Sequence, residues 1–257
     1  MHIKGYDFIK FDISKFFNSI DQKILLKLFI QEFQIDEEYQ ALTRKYLESF
    51  FVFGKLPLGL VLSPLLSDVY MKDFDKTMEM HCQSNAWLYT RYADDILISS
   101  RHLISDSEYV ALESTVNNLL AAKKLKLNEE KKLHIALDRR GKYVKYIGIS
   151  IVKGSKGNYL SVGKKYIYQV SKEIHEYTNY RKELRQYESM NSENNLKYLK
   201  QIIYGKLGFI RYIEGDRGIH QIEIRLKNYL NTEPYYWLKQ LIQYWRYNDK
   251  TCAKMSE

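Results

Sequence analysis

Residues 87–100 read WLYTRYADDILISS. Two short runs of β-branched, aromatic and aliphatic residues flank Ala93-Asp94-Asp95, the pattern of a β-hairpin with carboxylates at its tip. Residues 6–13, YDFIKFDI, alternate and are rich in β-formers, so they predict a strand with Asp12 near its end. Carboxylates at the ends of adjacent strands can converge at a sheet edge. Together with a backbone carbonyl they make a hard-oxygen site suited to Mg²⁺. Side chains alternate along a strand, so Asp94 and Asp95 cannot face such an ion equally, and one of them is expected to be the primary ligand. Taken singly, each motif is also ordinary chemistry: Asp-Asp suits a turn, and an Asp after a strand caps helices.

Outward from this pair the pattern turns helical. Ile24, Leu25, Leu28 and Phe29 predict a helix over 21–33, capped by Ser19 or Asp21. A second helix is expected over 37–50, capped by Asp36. Residues 56–63, LPLGLVLS, read as a loop. Ser63 then Pro64 is a helix start, with Leu65, Leu66, Val69, Tyr70 and Phe74 on its buried face. Residues 106–124 predict a helix with a Ser105/Glu108 capping box and Lys123/Lys124 in its last turn. Residues 143–152 predict a strand paired with 158–162. Beyond 164 the chain is helical, with a loop expected at 189–195. The expected fold class is α+β: an antiparallel sheet with helices on one face over residues 1–153, then a mainly helical part over 154–257.

The chain has 257 residues, enough for one large or two modest domains. Its net charge is +9. Residues 1–150 hold 21 Lys and Arg against 20 Asp and Glu, whereas residues 151–257 hold 19 against 11. The basic excess therefore lies in the C-terminal part, interleaved with Tyr166, Tyr168, Tyr177, Tyr180, Tyr187, Tyr198 and Tyr204. That composition suits a polyanion, and equally a soluble basic face with tyrosines in the core. Two cysteines, Cys82 and Cys252, exclude a disulfide framework, and no Cys/His spacing suits zinc. A reduced, cytoplasmic protein without a membrane span is expected.

The order and spacing of FIKFDISKFFNSID (8–21), LPLGLVLSPLLSDVY (56–70) and YTRYADDILIS (89–99) closely resemble the palm of bacterial reverse transcriptases. That group comprises retron, group II intron and defence-associated enzymes. LKLNEEKKLHI (125–135) resembles the family's LNxxK segment, YIGISI (146–151) its palm–thumb junction, and GKLGFIRYI (205–213) a thumb helix. The resemblance implies a polymerase palm followed by a helical thumb, and RNA-templated addition of deoxynucleotides. It implies two Mg²⁺ ions, replaceable by Mn²⁺, held by Asp12, Asp94, Asp95 and the backbone carbonyl of Ile13. It places Phe17 as a gate against the ribose 2′-hydroxyl, Leu58 and Gly59 at the nascent pair, and Lys131 at the triphosphate. Ser63, Pro64 and Tyr92 fall to the template and primer, as do Ile147 and Gly148. The implied partners are an RNA template, the DNA product and dNTPs.

Two departures shape these expectations. Leu58 stands where the family usually has glutamine, which is closer to the defence-associated and abortive-infection branches and raises a role against phage. Eleven residues precede Asp12, where relatives carry a basic fingers region. The chain is thus a fragment, works without fingers, or takes them from a second protein; a noncoding RNA is a further candidate partner. The tail from 231 holds Tyr235, Tyr236, Trp237, Tyr244 and Trp245, expected to pack the end of the thumb. The rival readings are a non-catalytic RNA-binding or assembly subunit on a polymerase palm, and a group II intron-type maturase.

Overall fold

The computed structural model describes residues 2–184 and 190–255. The chain divides into two compact units: Met1–Ile147 with Val152–Asn158, and Gly148–Ile151 with Tyr159–Glu257.

The first unit runs β1 (Asp7–Asp12), α1 (Phe16–Ser19), α2 (Gln22–Glu32), α3 (Glu37–Ser49), α4 (Ser63–Ser84), β2 (Leu88–Tyr92), β3 (Asp95–Ser100), α5 (Asp106–Ala122) and β4 (Leu133–Ala136). The sheet order is β2-β3-β1-β4, with every neighbouring pair antiparallel. In the register of β1 on β3, Ile9 meets Ile98, Phe11 meets Ile96, and Asp12 meets Asp95. Strand alternation then sorts the sheet into two faces. Ile9, Phe11, Ile96 and Ile98 join one apolar core with Leu66, Tyr70, Phe74 and Met78 of α4 and Leu112, Val116 and Leu120 of α5. Burying one such side chain contributes about 1.5–3 kcal/mol. Lys10, Asp12 and Asp95 lie on the opposite face. Phe8 and Leu97 are also fully buried, so the central strands are covered on both sides rather than half-exposed.

Local chemistry explains the helix ends. Asp21, not Ser19, caps α2, its Oδ1 accepting from the amides of Lys23 and Ile24 at 3.0 Å each. The Ser105/Glu108 capping box of α5 is present, and the helix ends at Ala122, so Lys123 is its C-cap and Lys124 lies beyond it. Asp36 is the N-cap residue of α3, but its side chain makes no capping bond. Ser63 is the first residue of α4 rather than its cap. Its buried hydroxyl donates back to the Pro57 carbonyl at 2.7 Å, which ties off the loop instead of the helix. Leu65 points away from the core and is half-exposed, because one further residue carries it 100° round from Leu66.

Residues 143–152 are not one strand. Ile147 and Gly148 both have positive φ (42° and 83°), which breaks the run into β5 (Tyr143–Tyr146) and β6 (Ile149–Lys153). These join β7 (Asn158–Ser161) in a separate three-stranded sheet of order β5-β6-β7. The outer place in the first sheet belongs instead to β4.

The second unit holds α6 (Lys164–Leu184), α7 (Met190–Glu214), α8 (Asp216–Leu226) and α9 (Tyr236–Met255). Its core gathers Ile167, Val170 and Ile174 from α6, Leu207 and Ile210 from α7, and Ile222 from α8. Gly218 lets α8 approach α7, since a Cβ there would stand 2.6 Å from Ile210 Cγ2. Tyr235 and Trp237 are buried in this core and Trp245 packs against it, whereas Tyr236 and Tyr244 are exposed. Of the expected loop at 189–195, residues 190–195 are helical and Ser189 lies outside the described residues, as does Tyr187. Tyr177 is buried, while Tyr168, Tyr180 and Tyr198 are exposed. No helix among the described residues is long and apolar enough to cross a membrane.

Candidate active site

The acidic site forms where β1 ends beside the β2–β3 turn. Asp12 is the last residue of β1, Asp95 the first of β3, and Ala93-Asp94 the two-residue turn between the arms. Asp95 shares a face with Asp12, and Asp94 is carried by the turn. The Ile13 amide donates to the Asp94 carbonyl at 2.9 Å, which holds the turn against the end of β1.

Asp12 is 5% exposed, and both of its carboxylate oxygens are engaged. Asn128 Nδ2 donates to Oδ1 at 3.2 Å and Lys131 Nζ to Oδ2 at 2.9 Å. The Asn128 amide also donates to the Asp12 carbonyl at 2.8 Å. Lys10 Nζ lies 2.7 Å from Asp95 Oδ1. Burial pushes the Asp94 carboxyl above its ordinary value, and the charges of Asp12 and Asp95 push it further, against its own backbone and Lys131. Lys131 is held above the usual lysine range, first by its hydrogen bond to Asp12 and then by that carboxylate's charge.

The donor set is therefore three carboxylates, Asp12 and Asp95 adding to the raised proton affinity of Asp94, with ammonium groups resting on Asp12 and Asp95. Oxygen donors of this kind fit a hard divalent cation such as Mg²⁺. Among the described residues, however, no group of three or more His, Cys, Asp and Glu side chains is drawn together closely enough to form a metal cage. Lys131 and Lys10 each sit on one carboxylate oxygen, of Asp12 and of Asp95 respectively.

The structure brings Asp12, Ile13, Asp94, Asp95 and Lys131 together. Phe17 lies on α1, partly buried, its ring edge-on to Phe16 at 5.2 Å, and Phe16 is the core member of the pair. Leu58 and Gly59 lie in the loop before α4, Leu58 exposed and Gly59 at φ 93°, a conformation natural only to glycine. Ser63 and Pro64 begin α4, and Tyr92 is exposed at the end of β2. Among the described residues no hydrogen bond or ion pair joins these six to the carboxylates. Ile147 closes the first unit and Gly148 opens part of the second. Tyr146, just before them, donates to the Asp95 carbonyl at 3.4 Å.

Sequence reading passed over Lys10 and Asn128. Lys10 was legible as the i−2 neighbour of Asp12 on the same strand face. Asn128 stands in the segment that supplied Lys131, but only the tertiary fold shows that it holds Asp12.

A central strand ending in a carboxylate beside an acidic hairpin turn, on the sheet face away from the helices, defines a polymerase palm. Residues 2–151 match the family described as "Reverse transcriptase (RNA-dependent DNA polymerase)". The chain belongs to this family. It is 31% identical over 108 residues to "Retron Ec83 reverse transcriptase" of Escherichia coli, a match covering 39% of this chain and 34% of that relative. The chain thus matches about a third of that curated relative's length. Among solved structures, it aligns with telomerase from Candida albicans in complex with a fragment of telomeric RNA, at 12% identity and TM-score 0.48, over 92% of this chain and 49% of that one. It also aligns with apo telomerase from Candida Tropicalis truncated from the C-terminal domain, at 16% identity and TM-score 0.45, over 57% and 34% of the two chains.

Proposed function

We propose that this chain is the palm (1–153) and thumb (154–257) of an RNA-directed DNA polymerase, joining deoxynucleotides to a primer 3′-hydroxyl on an RNA template. The observation that carries this reading is the convergence of Asp12, Asp94 and Asp95 at one sheet edge. Asp12 and Asp94 are the primary metal ligands, as the resemblance to the family implies. Ile13 adds its carbonyl, and Asp95 assists. Bound Mg²⁺ or Mn²⁺ supplies charge neutralisation for nucleotidyl transfer. Asn128 keeps Asp12 in place through two contacts. Lys131, freed from Asp12, is long enough and exposed enough to meet an incoming triphosphate. Phe17 screens the sugar, and Gly59 lets the backbone come close to the nascent pair. Lysines and exposed tyrosines of the second unit hold the template–product duplex.

A second reading, a non-catalytic RNA-binding subunit, is favoured by one observation: both Asp12 and Asp95 carry an ammonium partner of their own. Primer extension on an RNA template with Mg²⁺ and dNTPs separates the two. Extension by the wild-type chain, lost in Asp94→Asn, supports the polymerase. RNA binding without extension, unchanged by Asp94→Asn, supports the subunit.

A further inference from the structure

The polymerase reading assigns no task to one cation of the first unit whose side chain is nearly buried. Arg91 lies on β2, on the sheet face that packs against α4, behind the carboxylates rather than beside them. Its side chain is 4% exposed. All three of its nitrogens are engaged. Nε and Nη2 grip Asp75 of α4 at 2.8 and 2.7 Å, Nη2 also reaches Asp68 at 3.1 Å, and Nη1 donates to the Ala93 carbonyl at 2.9 Å. Tyr89, two residues back on the same face, donates to Asp75 at 2.6 Å and holds that carboxylate in register.

The Ala93 contact is the informative one. Ala93 has φ 52°, a left-handed conformation that a residue with a Cβ adopts only when its surroundings impose it. The Ala93 carbonyl belongs to the peptide plane entering Asp94. The plane leaving Asp94 is held by the Ile13 amide on the Asp94 carbonyl, at 2.9 Å. Both peptide planes flanking Asp94 are therefore pinned, one by a side chain anchored in α4 and the other by the end of β1.

We propose that Arg91 is a positioning residue for the polymerisation reaction: clamped by Asp75, it fixes the peptide plane before Asp94 and so aims the Asp94 carboxylate toward Asp12. A neutral donor or a lysine does not replace it. A planar fork is needed to bind both carboxylate oxygens and still offer a third N–H to the turn. The inference rests on the polymerase reading for its kinetic consequence, but not for its structural one.

The test uses the full chain and a charge-balanced pair of substitutions, Arg91→Gln with Asp75→Asn, which leaves no unpaired buried charge. Two quantities are measured: residue-resolved amide hydrogen exchange at Ile13 and Asp94, and single-turnover primer extension over a range of dNTP concentrations. The expected result is exchange at Ile13 faster by about tenfold or more, with Phe8 to Phe11 unchanged. Alongside it, the maximal extension rate falls by about 10–100-fold while the half-saturating dNTP concentration stays within about twofold. Wild-type exchange at Ile13 or a wild-type extension rate in the paired variant overturns the proposal, because a residue serving only to balance buried charge is dispensable once its partner is neutral. If the paired variant does not fold, Arg91→Lys is read by the same two measurements, since its single amine cannot span Asp75 and Ala93. If the wild-type chain extends no primer, the polymerase reading fails, and the exchange at Ile13 still decides whether the clamp exists.

Discussion

Lys131 Nζ rests 2.9 Å from Asp12 Oδ2, a mostly exposed ammonium on a nearly buried carboxylate. An ion pair with one solvated partner adds little stability. Its consequence is competition, because a divalent cation on Asp12 must displace it. Lys131→Gln is expected to bind Mn²⁺ more tightly than wild type in the absence of nucleotide, and to extend primers more slowly. Mn²⁺ titration followed by electron paramagnetic resonance reads the first effect. Equal affinity in the two proteins means that the pair does not compete with the metal.

Asp12→Asn and Asp94→Asn each remove a charge where negative charge must be gathered and balanced. Each is expected to lower extension by roughly 10²–10³-fold or more while leaving RNA affinity within about twofold. Extension assays and filter binding on the same preparations check this. Wild-type extension by either variant removes the two-carboxylate assignment.

Asp94 also makes a prediction about stability. Burial and the neighbouring carboxylates raise its proton affinity in the folded state. The folded chain then binds more protons than the unfolded one as pH rises past the ordinary value of 3.8, so this group's contribution to stability falls through that window and stays low above it. Asp94→Asn abolishes the penalty. Its melting temperature should exceed that of wild type at pH 7, and the gap should close at about pH 3, where the carboxyl is protonated in both states. A gap of the opposite sign at pH 7 contradicts the combined effect of burial and charge repulsion on Asp94.

Phe17→Ala removes the ring proposed to screen the nucleotide sugar, while Phe16 keeps its place in the core. Ribonucleotide incorporation relative to deoxynucleotide should rise by roughly tenfold or more. Unchanged sugar selectivity in a competition assay sinks the gate.

Tyr70 is fully buried in α4, and its hydroxyl joins two distant segments. It donates to the Lys123 carbonyl at 2.5 Å and accepts from the Asp21 amide at 3.3 Å. Tyr70→Phe keeps the ring and strands both backbone groups. Urea unfolding should show a loss of about 1–3 kcal/mol with an unchanged slope.

Much of the first unit was legible because its signals are local. The hairpin of 87–100, the strand ending at Asp12, the capping box at Ser105 and the proline-started α4 each follow from neighbours within a turn or two. The failures share a cause. Ser63 has a cap's hydroxyl, but its partner is the Pro57 carbonyl across a loop. The split at Ile147-Gly148 needs two consecutive positive φ values, one of them at a β-branched residue that propensity assigns to a strand. β4 is four residues long, and only its pairing with β1 makes it a strand at all.

The residues themselves determined the carboxylates, the order of the strands that carry them, and the basic, aromatic character of the C-terminal part, because each is written in residue type and spacing. Only the tertiary structure decided how those carboxylates are held: Lys10 on Asp95, Asn128 and Lys131 on Asp12, and Arg91 behind Asp94. Apart from the short step from Arg91 to Ala93, these contacts join parts of the chain that are distant in sequence. A charge's partner is chosen by which elements pack together, and packing depends on the whole apolar core rather than on any stretch of sequence near the charge.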